Sequence, residues 1–191
     1  VSANRRGPAV EPLVWNVAGL LDYEAGATRD YEVAGATIDL GDDLRLADPI
    51  EGHVRLARTN RGLLVIAEFD TSLAAECSRC VRDIEVPIHI SIEEEALPSI
   101  DLHPGHPVKA RDVGEGDDEP LRLTDHHELD LETPVREAIQ LAEPFAPLCR
   151  PDCPGLCLVC GERLDDGAHD HPNDDIDPRL EALRAFKSTE G

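Results

Sequence analysis

Ile84, Val86, Ile88, Ile90 and Ile92 stand at every second position, and Asp83, Glu85, Pro87, His89, Ser91 and Glu93 fill the places beside them. A period of two puts the five apolar side chains on one face of an extended chain and would scatter them around a helix, so the segment predicts a half-buried strand. Ile50, Val54 and Leu56 against Glu51, His53 and Arg55 repeat the pattern. Thr59-Asn60-Arg61-Gly62 then offers turn chemistry, and Leu63 to Glu76 alternates over a longer run, apolar on both sides at its start. Three strands in succession predict an antiparallel meander. Pro87 has no N–H for a ladder, which places the third strand at an edge or gives it a bulge.

Weaker signals flank this centre. Leu13 to Val17 and Thr28 to Ala34 read as two short strands around a turn at Gly26, and Ser99 to Pro120, rich in Pro, Gly, Asp and His, reads as a long loop. Thr133 suits an N-cap and Pro134 a first helical position. Val135, Ala138, Ile139 and Ala142 make an apolar stripe at helical spacing, and Pro144 stops it. Asp177-Pro178 repeats the start signal before Leu180, Leu183 and Phe186, a second short helix. The expected class is α+β: an antiparallel β-meander or barrel-like sheet with one or two helices and a C-terminal cysteine-bearing segment. Residues 1–98 form the β-rich part and 99–128 an acidic flexible loop. Residues 129–191 carry the helix, the cysteine-rich segment and the last helix, packed on the sheet as one domain.

With 191 residues, the chain can bury a real core and carry at most a small appendage besides. Nothing approaches the roughly 20 apolar residues of a membrane helix, and the first residues lack a signal peptide's apolar centre, so a cytoplasmic protein is expected. The formal net charge is -22. Phosphate binding depends on Lys and Arg, so such a balance weighs against nucleic acid. The acid is uneven, however. It gathers from Asp112 to Glu132 and from Glu162 to Asp177, whereas Arg45 to Arg82 holds six Arg against five acids, with Arg55, Arg58 and Arg61 close together. The acidic runs read as solvated loops; their functional alternative is docking of a basic protein or mimicry of nucleic acid.

The chemistry lies in the six cysteines, Cys77-x2-Cys80 and Cys149-x3-Cys153-x3-Cys157-x2-Cys160. In a reducing compartment such spacings read as metal ligands before disulfides. Zinc takes four ligands in a tetrahedron, and two cysteines two residues apart in a tight turn supply half of one shell. Cys77 and Cys80 sit between two strands and need a second half from the late cluster. Six cysteines with His169 and His171 make eight ligands, enough for two ions. Cys77 and Cys80 can pair with Cys149 and Cys153, leaving Cys157, Cys160, His169 and His171 as a local site. They can equally pair with Cys157 and Cys160 as a zinc ribbon, and spacing leaves both open. Gly155 to Gly161 reads as a zinc knuckle, because glycine after the last cysteine lets backbone amides turn toward thiolates. His169 and His171 read equally well as surface histidines.

A redox pair of thioredoxin type opens a helix, where the dipole lowers a thiol pKa, whereas Cys77 and Cys80 stand between strands. An iron–sulfur cluster uses the same thiolates. No HExxH, P-loop, GxSxG or deaminase signature is present, and no catalysis or small-molecule substrate is expected.

The order Arg58-Thr-Asn-Arg61-Gly62, Glu76-Cys-Ser-Arg-Cys80, Leu129-Asp-Leu, Pro147 to Gly161 with its four cysteines, and Ile176-Asp-Pro-Arg-Leu180 resembles the YceD family, described as large ribosomal RNA subunit accumulation proteins. The resemblance implies ribosome biogenesis without catalysis, with large-subunit ribosomal RNA precursor or a ribosomal protein as partner. Shorter relatives keep the early CxxC and a counterpart of Cys149 to Cys153, which favours the first pairing. Many longer relatives carry Cys-x-Cys where this chain has His169-Asp-His171. Zinc, one or two ions, is then structural, and Arg55, Arg58, Asn60 and Arg61 at the hairpin tip are the residues expected to touch RNA or a partner. Two alternatives are an acidic adaptor that holds a basic ribosomal protein and a thiol-redox protein using the first CxxC.

Overall fold

The computed structural model describes residues 13–99, 121–167 and 171. His169, the helix expected after Asp177 and nearly all of the loop expected from Ser99 to Pro120 lie outside the described residues. In chain order the elements are β1 (Val14–Asn16), α1 (Ala18–Leu21), β2 (Thr28–Ala36), β3 (Arg45–Leu46), β4 (Ile50–Arg58), β5 (Leu63–Glu76), β6 (Asp83–Leu97), β7 (Leu121–Arg122), β8 (Glu128–Asp130) and α2 (Glu132–Ala142).

The alternation at the centre becomes the sheet. β4, β5 and β6 run antiparallel, and the β5–β6 ladder holds one register from Leu63↔Ala96 to Glu76↔Asp83. Pro87 faces Ser72 within that ladder, without a register shift. Among the described residues the other side of β6 pairs only with β7, parallel at Ala96 and Leu97, so Pro87 lies on an edge of the sheet. β2 pairs β4, and β3 continues β4's side of β5 by pairing Arg45 and Leu46 with Ala74 and Leu73. The path β2-β4-β5-β6-β7 stays open and forms no closed barrel. A separate ribbon joins β1 to β8 through Val14↔Asp130 to Asn16↔Glu128. Thus β7 and the start of β8 fall inside the 99–128 stretch expected as loop.

Burial follows the alternation. Leu63, Val65, Ala67, Phe69 and Leu73 of β5 and Ile88, Ile90 and Ile92 of β6 are buried, together with Ile50, Val54 and Leu56 of β4. α2 packs against β6, and its Val135 and Ile139 join this core with Leu129 and Leu131. Gly62 is needed for close packing: a Cβ there would lie 2.1 Å from the Ala96 carbonyl oxygen.

The start of α2 differs from expectation. Leu131 holds the N-cap position without a side-chain cap, and Thr133 and Pro134 lie inside the first turn. Asp130 Oδ1 accepts the N–H of Glu132 at 2.8 Å, serving from one residue farther out. Pro134 fits because N–H groups of a first turn have no intrahelical acceptor. Glu143, before Pro144, is extended at φ -58° and ψ 124°, so the helix stops there. No helix among the described residues is long and apolar enough to cross a membrane.

Candidate metal centre

The β5–β6 hairpin ends in a loop whose backbone is fixed by its own hydrogen bonds. Cys77 N–H donates to the Arg82 carbonyl at 2.8 Å, and Val81 N–H donates to the Cys77 carbonyl at 2.9 Å. Eighty residues later the same pair recurs: Cys157 N–H to the Glu162 carbonyl at 2.7 Å and Gly161 N–H to the Cys157 carbonyl at 2.9 Å. The residue after the second cysteine is left-handed in both loops, Val81 at φ 53° and Gly161 at φ 75°. The two CxxC turns are therefore copies of one backbone shape. Each turns its two sulfurs to the same side, as a half-shell requires.

The segment after α2 closes the first half-shell. Ser78 N–H donates to the Pro147 carbonyl at 2.9 Å, which brings the following residues across the hairpin end. Sγ of Cys77 then lies 3.8 Å from Sγ of Cys153, and Sγ of Cys80 lies 3.8 Å from Sγ of Cys149. All four sulfurs fall within 4.8 Å of one another. Bonds of about 2.3 Å at tetrahedral angles put sulfurs about 3.8 Å apart, so the donor set fits a tetrahedral thiophilic ion. A disulfide needs about 2.05 Å, and all six cysteines are free thiols. Cys77, Cys80 and Cys153 are buried and pack with Ile84, Leu148 and Leu156 in a small cluster of their own.

Cys157, Cys160 and His171 form the second group, their ligand atoms also within 4.8 Å of one another. His171 Nε2 is 3.2 Å from Cys157 Sγ. This group is more open: Cys160 is exposed, and Leu158 and Val159 at the loop tip face solvent. Cys77 and Cys80 thus meet Cys149 and Cys153, not Cys157 and Cys160.

Local fields suit thiolates. The backbone N–H of Cys149, aided by those of Arg79 and Cys80, brings the Cys77 thiol down to about 6 against its burial. Burial first, and then the neighbouring sulfurs of Cys153, Cys77 and Cys80, push Cys149 up to about 12. The N–H groups of Cys160 and Val159 lower Cys157 to about 6. One sulfur of each group ionises readily while a second thiolate beside it is opposed. A divalent cation removes that opposition, and ionised thiolates are the form in which it binds.

Arginines fasten the assembly, and sequence reasoning missed them. Arg79 donates to the Cys153 carbonyl at 3.0 Å. Arg163 donates to the carbonyls of Cys80 at 2.9 Å and Val81 at 3.0 Å, tying the second turn to the first. Arg150 pairs with Asp165 at 2.5 Å. Nothing in a periodicity marks these contacts. Val81 had a signal, since Cys77 to Arg82 aligns with Cys157 to Glu162 and puts Val81 opposite Gly161.

At the hairpin tip, Asn60 and Arg61 are exposed, and Arg61 Nη1 stands 3.7 Å from a Glu95 oxygen. Arg55 pairs with Asp30 at 2.6 Å. Arg58 points into the fold instead: it donates to the carbonyls of Leu21 at 3.1 Å, Gly62 at 2.9 Å and Thr59. Its part there is to fasten the turn.

Residues 65–187 match the family described as "Large ribosomal RNA subunit accumulation protein YceD". Among curated proteins the chain is similar to uncharacterized proteins of Mycobacterium bovis and Mycobacterium tuberculosis, each 34% identical over 130 residues, 68% of this chain and 58% of the relative. It is also similar to one of Mycobacterium leprae, 30% identical over 132 residues, 68% of this chain and 55% of that protein. The chain thus covers less than two thirds of these relatives' length. No solved structure matches. With the match running from near the start of β5 through both cysteine groups, the chain belongs to the YceD family, the large ribosomal RNA subunit accumulation proteins.

Proposed function

We propose that the protein is a non-catalytic factor of ribosome biogenesis, acting in the cytoplasm, on which accumulation of large-subunit ribosomal RNA depends. The family match over residues 65–187 carries this reading. Zinc belongs to it as a fastener: Cys77, Cys80, Cys149 and Cys153 would hold one ion, and Cys157, Cys160 and His171, with His169 as fourth ligand, a second. Bound there, zinc supplies cross-linking of the sheet to the C-terminal segment and no reaction chemistry. A four-sulfur shell has no open position for a substrate, which supports a structural role.

The hairpin tip is the proposed contact with precursor RNA or a ribosomal protein, through Arg55, Asn60 and Arg61, with Arg58 as their anchor. In cells lacking the gene, the ratio of large- to small-subunit ribosomal RNA is expected to fall and to recover with the wild-type chain. An unchanged ratio would defeat the reading. Arg61→Glu should weaken co-sedimentation with large-subunit precursors at unchanged thermal stability. Native mass spectrometry should find one or two zinc ions per chain; iron or no metal would remove the zinc assignment.

A further inference from the structure

A groove of about 1080 Å³ opens between the segment entering β3, the hairpin ends of β5 and β6, and the residues that follow α2. Asp42, Asp43, Glu76, Asp83, Glu85 and Glu143 line it, all exposed, against the single cation Arg45. Among the described residues none of the six forms an ion pair, although Arg55, Arg61, Arg82, Arg136 and Arg150 all do elsewhere. Six like charges with Arg45 as the one cation among the lining residues leave the groove strongly acidic. They do not converge as a cation's ligands do: the converging donor groups among the described residues are the two cysteine clusters.

The groove is also partly apolar. Ile84, Pro144 and Pro147 line it, and the Phe145 ring at its rim is wholly exposed. Leu141, near the end of α2, is 88% exposed. The chain has only six aromatic residues, and leaving a phenylalanine in water forgoes burial of about 25 cal/mol per Å². An acidic trough with an apolar rim matches a segment that carries cations and an apolar side chain together. Phosphate would be repelled by the same six groups, so RNA is the poorer occupant.

We propose that this groove binds a Lys- and Arg-rich extended segment of a protein partner, whose apolar side chain packs on Phe145. The inference goes beyond the ribosomal reading and stands without it. It also places basic-segment recognition in the groove and not in the acidic runs from Asp112 to Glu132 and from Glu162 to Asp177.

The test uses the full chain and a short fluorescent Lys/Arg-rich peptide with one central Leu, titrated at low salt. Binding is expected, weakened about tenfold by the double change Glu85→Lys with Glu143→Lys. Phe145→Ser should weaken it severalfold. All three positions are exposed, and matching circular dichroism melts would show the variants folded. Unchanged affinity in both variants overturns the proposal, as does equal binding of a Glu-for-Lys/Arg control peptide. Displacement of the peptide by a short RNA acting at the groove overturns it too. So does absence of peptide binding, the result expected where one of the chain's own basic segments fills the groove. Dimerisation abolished by the charge reversal would assign the groove to a second copy and likewise overturn it.

Discussion

At Val81 a β-branched residue holds φ 53°, the conformation that its counterpart Gly161 adopts at φ 75° without steric cost. Left-handed backbone costs a non-glycine residue about 1–2 kcal/mol, while glycine returns part of that gain through its freedom in the unfolded chain. Val81 is half exposed and loses little burial on truncation. Val81→Gly is therefore expected to raise stability by about 0.5–1 kcal/mol in urea unfolding of the zinc-loaded protein. The mirror change, Gly161→Ala, should lower it by about 1 kcal/mol through backbone strain alone, because a Cβ there meets nothing within 4 Å. If Val81→Gly destabilises, the side chain contributes packing that its exposure conceals. At this scale the sequence was readable where chemistry is local. Cysteine spacing announced two half-shells, yet which sulfurs share one depended on Pro147 reaching Ser78, a contact without any sequence mark.

Strands and turns show a similar division between local and distant causes. β4, β5, β6 and α2 could be read from periodicity because each is long enough to show a period and each has a face that the core buries. α1, β3, β7 and β8 are two to four residues long, too short for any period, and exist because tertiary neighbours satisfy their backbones. The turn between β4 and β5 shows how an element can redirect a residue. Thr59 Oγ1 accepts the N–H of Gly62 at 2.9 Å and that of Arg61 at 3.2 Å, and Arg58 then gathers three carbonyls beneath the turn. An arginine that the sequence alone offers to phosphate is a fastener of its own hairpin. Arg58→Ala should cost about 1.5–3 kcal/mol, the range for hydrogen bonds from a charged donor, seen as a lowered thermal midpoint. Arg61→Ala should change stability by less than about 1 kcal/mol, since its contact with Glu95 is an exposed pair at 3.7 Å. Equal losses for the two would mean that the turn is held by charge and not by these carbonyl contacts.

The molecule as a whole has two cores of different kinds. The larger one is mostly aliphatic around Phe69, spans the sheet, α1 and α2, and includes none of the cysteines. The smaller consists of Cys77, Cys80 and Cys153 with a few aliphatic neighbours, and it holds the segment after α2 to the hairpin end. Outside that cluster, the same segment is held by the Ser78 to Pro147 backbone bond, by exposed pairs such as Arg82 with Asp166 at 3.7 Å and by arginine contacts to backbone carbonyls. Exposed pairs contribute roughly 0–1 kcal/mol each, whereas zinc bound by a structural set contributes on the order of 10 kcal/mol of binding free energy to whatever folds around it. Removing the proposed zinc should therefore act on one region. Chelation of the loaded protein, or Cys80→Ser, is expected to open residues 147–167 to protease while the β5–β6 ladder resists cleavage and the strand signal in circular dichroism persists. Mass spectrometry of the fragments would locate the first cuts. Simultaneous loss of the sheet would mean that the larger core cannot stand without the metal, and an unchanged digest would mean that thiols and arginines alone close the hairpin end. Localised opening would separate the two cores energetically, because the ladder would outlast the contacts that the cysteines hold.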